Sequence, residues 1–454
     1  MQRSLTEGGI AKSLIIFSLP MILGNLLQQL YNVADTLIVG QTIGTTALSA
    51  VGSSYSLMTL LTSVILGLCM GSGVVFAQFY GAKREDDMKS SIFNACIFIL
   101  LVSAVINILA FLLLDQFIIW LNIPEQAVEY TREYLQVIFV GITFVSAYNF
   151  FACILRSVGN TVVPLIFLAV SAITNIVLDI VFIVSFHMGV AGAAWATVIA
   201  QALSAICVAV YFFAKEKQLC PQRQHLHLSR RLLGFVINNS TLTAIQQSIM
   251  NLGILMVQGL VNSFGFSVSA AFAAVVKIDA FAYMPAQDFG NAFSTYIAQN
   301  YGAGKPDRIR KGIWTAAKLS TVFCAVASIF VCLLARPLML LFVKPEEVEV
   351  ISIGIQYLHI EGACYVGIGI LFLLYGLYRG LARSSMSIVL TVISLGSRVA
   401  LAYTLSAIPA MGMVGIWWSV PIGWALADIV GMLYYRLRFR KDSLLTAIPT
   451  SSKG

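Results

Sequence analysis

The chain has 454 residues, of which 59% are hydrophobic and only 11% are charged, and its mean hydropathy is +0.88. This composition excludes a water-soluble globular domain, in which about a quarter of the residues are charged. The net charge of +8 comes from Lys and Arg in short segments between apolar runs. We therefore expect the basic residues to contact anionic membrane lipids, and we expect no nucleic-acid partner.

Apolar runs of about 20 residues, the length that crosses a bilayer, recur from one end of the chain to the other. The segments between them are short and leave no room for a soluble domain. The sequence therefore predicts an all-α polytopic membrane protein with twelve transmembrane helices. We place these helices near residues 14–39, 46–79, 91–114, 131–153, 163–185, 191–213, 233–262, 268–300, 313–335, 351–377, 386–406 and 414–435.

Basic residues are distributed unequally between the two sides of the predicted helices. Most of them lie on the side that holds both chain ends, whereas the loops of the opposite side hold only Arg132, Arg336 and Lys344. Because Lys and Arg concentrate in cytoplasmic loops, we predict a multi-pass protein of the cell membrane with both termini in the cytoplasm. The first apolar run is too long and too polar for a cleavable signal, so we expect it to persist as the first helix.

The first predicted helix carries one polar stripe. Asn25, Gln28, Asn32 and Asp35 are spaced i, i+3, i+7 and i+10, which places them on one face of an otherwise apolar helix. A carboxylate at the centre of a bilayer costs at least about 2.5–3.5 kcal/mol, so Asp35 is expected to face protein or water. The stripe could serve only as a hydrogen-bonding seam between helices. Because the stripe includes an acid, we favour a functional site.

The fifth predicted helix repeats this pattern with Ser171, Asn175 and Asp179, each one helical turn after the last. Two acids and several amides in the same part of the chain predict a site for a cation. Hard oxygen ligands suit sodium, and a desolvated carboxylate can hold a proton near neutral pH. The alternative is a buried hydrogen-bonded pair that only stabilises the fold.

The chain contains an internal repeat. The segment Ala77–Ala82 (AQFYGA) reappears as Ala298–Ala303 (AQNYGA), and Met188–Trp195 (MGVAGAAW) reappears as Met411–Trp418 (MGMVGIWW), at nearly the same separation along the chain. An even number of helices in each half makes the repeats parallel, which predicts two pseudo-symmetric six-helix bundles of the kind found in alternating-access transporters. We predict an N-terminal lobe over 1–213, a cytoplasmic linker over 214–231 and a C-terminal lobe over 232–454.

The second half does not copy the chemistry of the first. At the offset that relates Met188 to Met411, Asn175 becomes Arg398 and Asp179 becomes Ala402. The polar residues of the second half are expected either to contact substrate in a central cavity or to form internal ion pairs, because an unpaired buried charge is costly. The expected pairs join Arg398 or Lys277 to Glu361, Asp279 or Asp288. Asp428 is expected to be solvated or paired near the end of helix twelve. The candidates are Gln247, Asn251, Lys277, Asp279, Asp288, Glu361 and Arg398.

Five motifs together resemble the multidrug and toxic compound extrusion (MATE) family over essentially the whole chain. Each motif is weak alone, but their order and spacing are specific. They are Asp35-Thr36-x-x-Val39-Gly40, Ala77-Gln78-x-Tyr80-Gly81, Arg156-x-x-Gly159-Asn160-Thr161, Asn175-x-x-x-Asp179-x-x-Phe182 and Gly189-x-x-Gly192-Ala193-Ala194-Trp195.

The resemblance implies export of amphipathic, often cationic compounds in exchange for protons or sodium ions. It implies no other cofactor and no metal beyond sodium, and we expect a monomer. In the branch similar to DNA-damage-inducible transporters, the coupling acids match Asp35 and Asp179, with Asn175 one turn earlier. Further positions that match the polar pocket of the N-terminal lobe are Gln28, Asn149 and Thr197, and we expect Asn32 of the polar stripe in the same pocket.

The sequence makes three other classes of protein less favoured. A membrane enzyme is disfavoured because the sequence has four histidines and no recognisable catalytic motif. A channel is disfavoured because the two halves differ in polar chemistry. The closest alternative is a flippase of lipids or lipid-linked oligosaccharides from the same superfamily. Such a flippase would be expected to have a basic cavity, whereas this N-terminal lobe concentrates acids.

Overall fold

The computed structural model of the chain describes residues 4–120, 123 and 125–439. Within these ranges it is helical without β-strands and contains twelve helices long and apolar enough to cross a membrane, which confirms the predicted fold class. The helices are α1 (Ile10–Thr42), α2 (Thr45–Gly81), α3 (Glu85–Leu112), α4 (Glu125–Ser157), α5 (Val162–Ser185), α6 (Gly189–Lys215), α7 (Arg230–Asn262), α8 (Phe266–Gly302), α9 (Pro306–Leu333), α10 (Val348–Gly380), α11 (Ser384–Ser406) and α12 (Met413–Arg438).

Two of the membrane helices change their geometry directly after a buried acid. Helix α5 is α-helical up to Asp179 and continues as a π-helix over Ile180–Ser185. Helix α10 is α-helical up to Glu361, forms a 3₁₀ turn over Gly362–Cys364 and resumes as an α-helix at Tyr365. Such irregular turns inside helices are frequent at functional sites and hinges.

The chain forms two compact units whose boundaries differ from those of the sequence halves. The first unit contains Leu23–Tyr80 and Arg84–Ala244, and the second contains Ser4–Ile22, Gly81–Lys83 and the chain from Ile245 onward. Helices α1 and α7 are therefore each divided between the units. Residues 440–454, which the prediction placed in the C-terminal lobe, lie outside the described part of the chain.

Each unit has an apolar core and an apolar outer surface. In the first unit the core includes Phe76, Phe139 and Phe212, whereas Leu101 and Val210 on the membrane helices are about 60% exposed. Apolar side chains on all sides of a helix are typical of a helix that meets both protein and lipid. The helical backbone satisfies its own hydrogen bonds, as a membrane interior requires.

In the second unit, close packing of α8 against α10 depends on glycine. A Cβ atom at Gly290 would lie 2.7 Å from the backbone oxygen of Phe372, which is closer than a Cβ atom can approach. The absence of a side chain lets the two backbones come together, as is common between membrane helices. The same two helices bring Asp279 of α8 into contact with Tyr365 of α10.

The segment before α1 is held tightly in the second unit by side chains of α8, the following turn and α9. Leu5 is 1% exposed, and its backbone N–H donates to Gln299 Oε1 at 2.9 Å. Arg308 donates to the backbone oxygens of Leu5, Glu7 and Gly8 at 2.9–3.2 Å. Lys305 donates to the backbone oxygen of Thr6 at 2.9 Å. These contacts anchor the start of α1.

We expect Arg308→Ala to loosen this segment. Each hydrogen bond to a charged group contributes about 1.5–3 kcal/mol, so amide hydrogen exchange of residues 5–8 should accelerate by about tenfold or more. Exchange measured by mass spectrometry in detergent tests this, with the exposed Lys311→Ala as a matched control. Equal exchange in both variants would mean that Arg308 does not hold the segment.

The predicted linker, residues 214–231, is ordered and packs within the first unit. His225 is 2% exposed, and its Nε2 lies 3.0 Å from Asp86 Oδ1 of α3. Asn94 of α3 donates to the backbone oxygen of His227 and accepts from the N–H of Ser229. These contacts fix the start of α7 against α3.

Candidate functional site

Asp35 lies in the interior of the first unit. It is on α1 and is 9% exposed, and its Oδ1 atom has no hydrogen-bond partner among the described residues. One turn earlier on the same helix, Tyr31 interacts with the side chain of Gln28 and electrostatically with Asp35. The polar stripe predicted from the sequence therefore leads along α1 to a buried carboxyl group.

Asp179, at the end of the α-helical part of α5, is the most buried acid of this unit. It is fully buried, and neither of its carboxyl oxygens has a hydrogen-bond partner in the described ranges. Asn175, one turn earlier, donates from Nδ2 to Thr197 Oγ1 of α6 at 3.3 Å. Asp35 is close enough for its charge to act on Asp179. The two predicted acids thus lie within electrostatic range of each other in the interior of the first unit.

The site presents four buried oxygen atoms that accept no hydrogen bond from the described residues: Asp35 Oδ1, Asn175 Oδ1, Asp179 Oδ1 and Asp179 Oδ2. A buried acceptor without a donor costs about 1–3 kcal/mol, and more when it is charged. A proton on a carboxyl group or a sodium ion bound by the oxygens would reduce this cost. Oxygen acceptors of this kind are chemically suited to either cation, which makes this a candidate cation site.

Two tyrosines of the site were not predicted from the sequence. Tyr31 lies beside Asp35, and Tyr134 of α4, which is 8% exposed, interacts electrostatically with Asp35, Asp179 and Tyr31. Tyr31 could have been found from its position one helical turn before Asp35. Tyr134 gives no such signal, because only the packing of α4 brings it to the acids.

Three further residues predicted for this pocket, Asn32, Asn149 and Thr197, are half-buried. Asn32 is half-buried and donates to Gln29 at 3.4 Å on its own helix. Asn149 is also half-buried and donates to the backbone oxygen of Val145, one turn earlier on α4, at 2.9 Å. Thr197 alone among them contacts the central residues directly, through Asn175.

In the second unit, the structure separates the predicted partners Lys277 and Asp279. Asp279 is 3% exposed and accepts a hydrogen bond from the Tyr365 hydroxyl. Lys277 is exposed, and its Nζ lies 5.9 Å from the centre of the Phe342 ring. Residues at positions i and i+2 of a helix point in different directions, so the expected pairing of these two residues is wrong.

The remaining candidates of the second unit differ in burial. Asp288 and Glu361 are each 3% exposed, whereas Gln247, Asn251 and Arg398 are half-buried. Within the described ranges, no direct ion pair joins Arg398 to Asp279 or Glu361. The structure therefore places Asp279 and Glu361 in the protein interior, where they have no basic partner in direct contact.

Asp428 of α12 was expected to be solvated or paired with an arginine, and this expectation is wrong. Its side chain is 6% exposed, and Oδ1 has no partner in the part of the chain that the structure describes. The residue lies almost three helical turns before the end of α12 at Arg438, which leaves it well inside the apolar part of the helix. Gly367 of α10 leaves room beside it.

Comparison with known proteins identifies the family. The model of the family described as MatE matches twice, over residues 20–181 and 243–404. The offset between the two matches equals the offset between Met188 and Met411 in the internal repeat. Together the matches cover more than half of the chain, and they include Asp35 and Asp179 in the first match and Asp279 and Glu361 in the second.

Relatives and solved structures cover nearly the whole chain. The "Probable multidrug resistance protein YpnP" of Bacillus subtilis is 30% identical over 97% of this chain and 98% of its own length. The "FAD transporter" of Shewanella oneidensis is 22% identical over 93% of each chain. A solved outward-facing structure of a multidrug resistance MATE family transporter superposes with a TM-score of 0.90 at 24% identity, covering 97% of this chain and 98% of that one, which shows the shared fold.

Proposed function

Because the chain belongs to the MatE family of membrane transporters, we propose that it exports amphipathic, often cationic compounds in exchange for protons or sodium ions. The observation that carries the proposal is the set of four unpartnered buried oxygens on Asp35, Asn175 and Asp179. A cation bound there would alter the charge inside the first unit. The multidrug resistance relatives support the substrate class.

The π-helix after Asp179 supports a role for this site in conformational change. When Asp179 is charged, its two unpartnered oxygens favour an arrangement that brings donors or water to them. When it is neutral, this requirement is removed and the helices can repack. An irregular segment directly after the acid is a place where helix α5 can change its winding at low cost. Ion binding would thus bias an equilibrium between two packed states.

We place the transporter in the cell membrane with both termini in the cytoplasm, as a monomer that requires no cofactor besides the coupling ion. The relatives named as multidrug resistance proteins favour drug export over the flipping of lipids or lipid-linked oligosaccharides. The FAD transporter among the relatives adds flavin nucleotides to the compounds worth testing.

Efflux from proteoliposomes tests this function. A fluorescent cationic dye is loaded, and a proton gradient and a sodium gradient are imposed separately. We expect one of the two gradients to accelerate dye movement at least about fivefold over its absence, the lower range of a typical coupling between two ligands. Efflux of flavin nucleotide and scrambling of labelled lipid are measured in parallel. Lipid scrambling without gradient-driven movement of dye or flavin would contradict the proposal.

A further inference from the structure

The second unit contains an apolar groove between the first half of α1, the middle of α8 and the middle of α9. Its volume is about 220 Å³, and all its lining side chains are apolar except two serines. One of these serines, Ser18, donates its hydroxyl hydrogen to the backbone oxygen of Ile15 on its own helix at 3.3 Å. The groove therefore offers its occupant a surface that is almost entirely hydrocarbon.

Small residues form the floor of the groove and large residues form its walls. On the floor, Ser18, Ala286 and Ser320 are 2–3% exposed. The walls are 42–50% exposed and include Ile15 and Leu19 of α1 and Phe323 of α9. A narrow floor of small side chains between large, exposed ones makes a slot that opens on the outer surface of the unit.

The position of the groove along α9 places it at the depth of lipid acyl chains. Trp314 of α9 is 73% exposed, and exposed tryptophans of membrane helices lie at the membrane–water interface. Leu319 and Phe323 follow it on the same helix and therefore lie about 8 to 14 Å deeper, at about 1.5 Å per residue. The hydrocarbon of one leaflet is about 15 Å thick. The groove thus lies within a single leaflet.

Both helical walls of the groove lead to an exposed lysine on the same side of the membrane. Since each membrane helix reverses the direction of the chain, α1 and α9 start on the same side. Lys12 lies one turn before Ile15 on α1. Lys311 lies two turns before Leu319 on α9, on the same helical face. A ligand with its tail in the groove therefore has its polar end near these two lysines.

The two lysines are available for a ligand. Both are exposed, and neither forms an ion pair within the described ranges. Asp307 lies one turn before Lys311 on α9, but no salt bridge joins these two residues. Two neighbouring basic residues, Lys305 and Arg308, already donate to the segment before α1. The charge at this end of the groove therefore favours an anionic group.

The size and charge of the groove distinguish a lipid from a transported drug. Pockets that hold drug-sized molecules usually have about 300–1,000 Å³, so this groove is smaller than such a pocket. A cationic compound would also be repelled by Lys12 and Lys311. Since lipid tails are as apolar as the groove, the hydrophobic effect does not select an occupant here. Selection must come from the shape of the slot and the charge at its end.

We propose that this groove binds one acyl chain of an anionic glycerophospholipid, whose phosphate-bearing headgroup lies at the level of Lys12 and Lys311. The chain fills the slot between α1 and α9, and its contacts stabilise the start of α1 against α8 and α9. Lipid binding does not depend on the proposed export activity. If both termini are cytoplasmic, as proposed above, the lipid belongs to the cytoplasmic leaflet, where anionic lipids concentrate.

Photolabelling of the full-length protein in lipid vesicles tests the site. Phosphatidylglycerol that carries a diazirine in one acyl chain is mixed into phosphatidylcholine, and the labelled residues are located by mass spectrometry. Leu101 of α3, at a similar distance from its helix start as Phe323 and 62% exposed, reports ordinary surrounding lipid. We expect residues 15–22 and 319–323 to be labelled at least about fivefold more than Leu101, because a lysine near an anionic lipid contributes about 1 kcal/mol, or about fivefold in affinity.

The same diazirine on phosphatidylcholine tests the charge. With two lysines, we expect it to label the groove about 25-fold less than phosphatidylglycerol does. The variant Lys12→Gln/Lys311→Gln should lower labelling by phosphatidylglycerol to the level of phosphatidylcholine. Lys215→Gln/Lys217→Gln removes the same charge from exposed positions of the first unit and should leave labelling of the groove unchanged.

A variant that fills the floor tests the shape. Ser320→Leu should reduce labelling of the groove by either lipid at least about fivefold; if it does not fold, the surface lysine variants still decide the question. Three results would overturn the proposal: labelling of the groove no stronger than that of Leu101, equal labelling by the two lipids, or unchanged labelling in Lys12→Gln/Lys311→Gln. Unchanged labelling in folded Ser320→Leu would equally exclude the slot as the binding site.

Discussion

Replacing Asp35 by Asn is expected to abolish gradient-driven export while the protein stays folded in the membrane. Asn has nearly the shape of Asp, but it neither binds a proton nor offers a charge to a sodium ion. Coupling between two ligands is typically about 1–3 kcal/mol, so its loss should lower the stimulation of dye efflux by the gradient by about 5–150-fold. Dye efflux from proteoliposomes with and without the gradient measures this change.

Two controls separate a loss of coupling from a loss of folding. Size-exclusion chromatography and thermal unfolding in detergent show whether Asp35→Asn is folded. Asp115→Asn removes an exposed acid of the same unit and should leave efflux unchanged. If Asp35→Asn exported dye as fast as the unchanged protein under the same gradient, Asp35 would have to be regarded as a structural residue.

Replacing Asp179 by Asn is expected to remove the exchange of the coupling ion even where dye still binds. Asp179 is fully buried and both of its carboxyl oxygens lack partners in the described residues, so an ion bound there contributes more than it would at a surface. Dye binding in detergent should release a proton, or displace sodium, from the unchanged protein but not from Asp179→Asn. A pH indicator and a sodium electrode follow these two events.

The double variant Asp35→Asn/Asp179→Asn distinguishes one site from two. Because the charges of the two acids act on each other, the acids are expected to work as a unit, and the double variant should lose no more ion exchange than the worse single variant. Ser171→Ala, which removes a hydrogen bond from α5 to the backbone oxygen of Ala200, controls for altered packing of α5. Independent losses that multiply in the double variant would argue for two separate ion sites in the first unit.

Much of the fold follows from the sequence alone. The apolar runs located all twelve membrane helices, and most ends fall close to the prediction. This succeeds because a bilayer imposes one length and one polarity on every spanning segment. The repeated segments revealed two related halves, and the two family matches are separated by the same offset as Met188 and Met411. Asp35 and Asp179 could be predicted as candidate site residues because an acid inside a membrane-spanning segment is energetically unfavourable and is usually functional.

Contacts between helices could not be predicted in this way. Helical spacing shows which residues share a face, but it does not show what lies opposite that face. Tyr365 and Asp279 are far apart in the chain, and only the packing of α8 against α10 brings them together. For the same reason Tyr134 was not predicted, and Lys277 was assigned to the wrong partner. The helix irregularities after Asp179 and Glu361 leave no composition signal that we recognise.

The division of α1 and α7 shows most clearly what the tertiary structure decides. Sequence halves end where the repeat ends, so residues 4–22 and 232–244 were assigned by their order in the chain. In the structure, Leu5 is buried among side chains of α8 and α9, and α7 begins against α3. A repeat reflects only the order of residues along the chain. Compact units are defined by which segments pack together, exclude solvent and form hydrogen bonds with one another. The sequence determined the helices and the acids; the packing determined which of them work together.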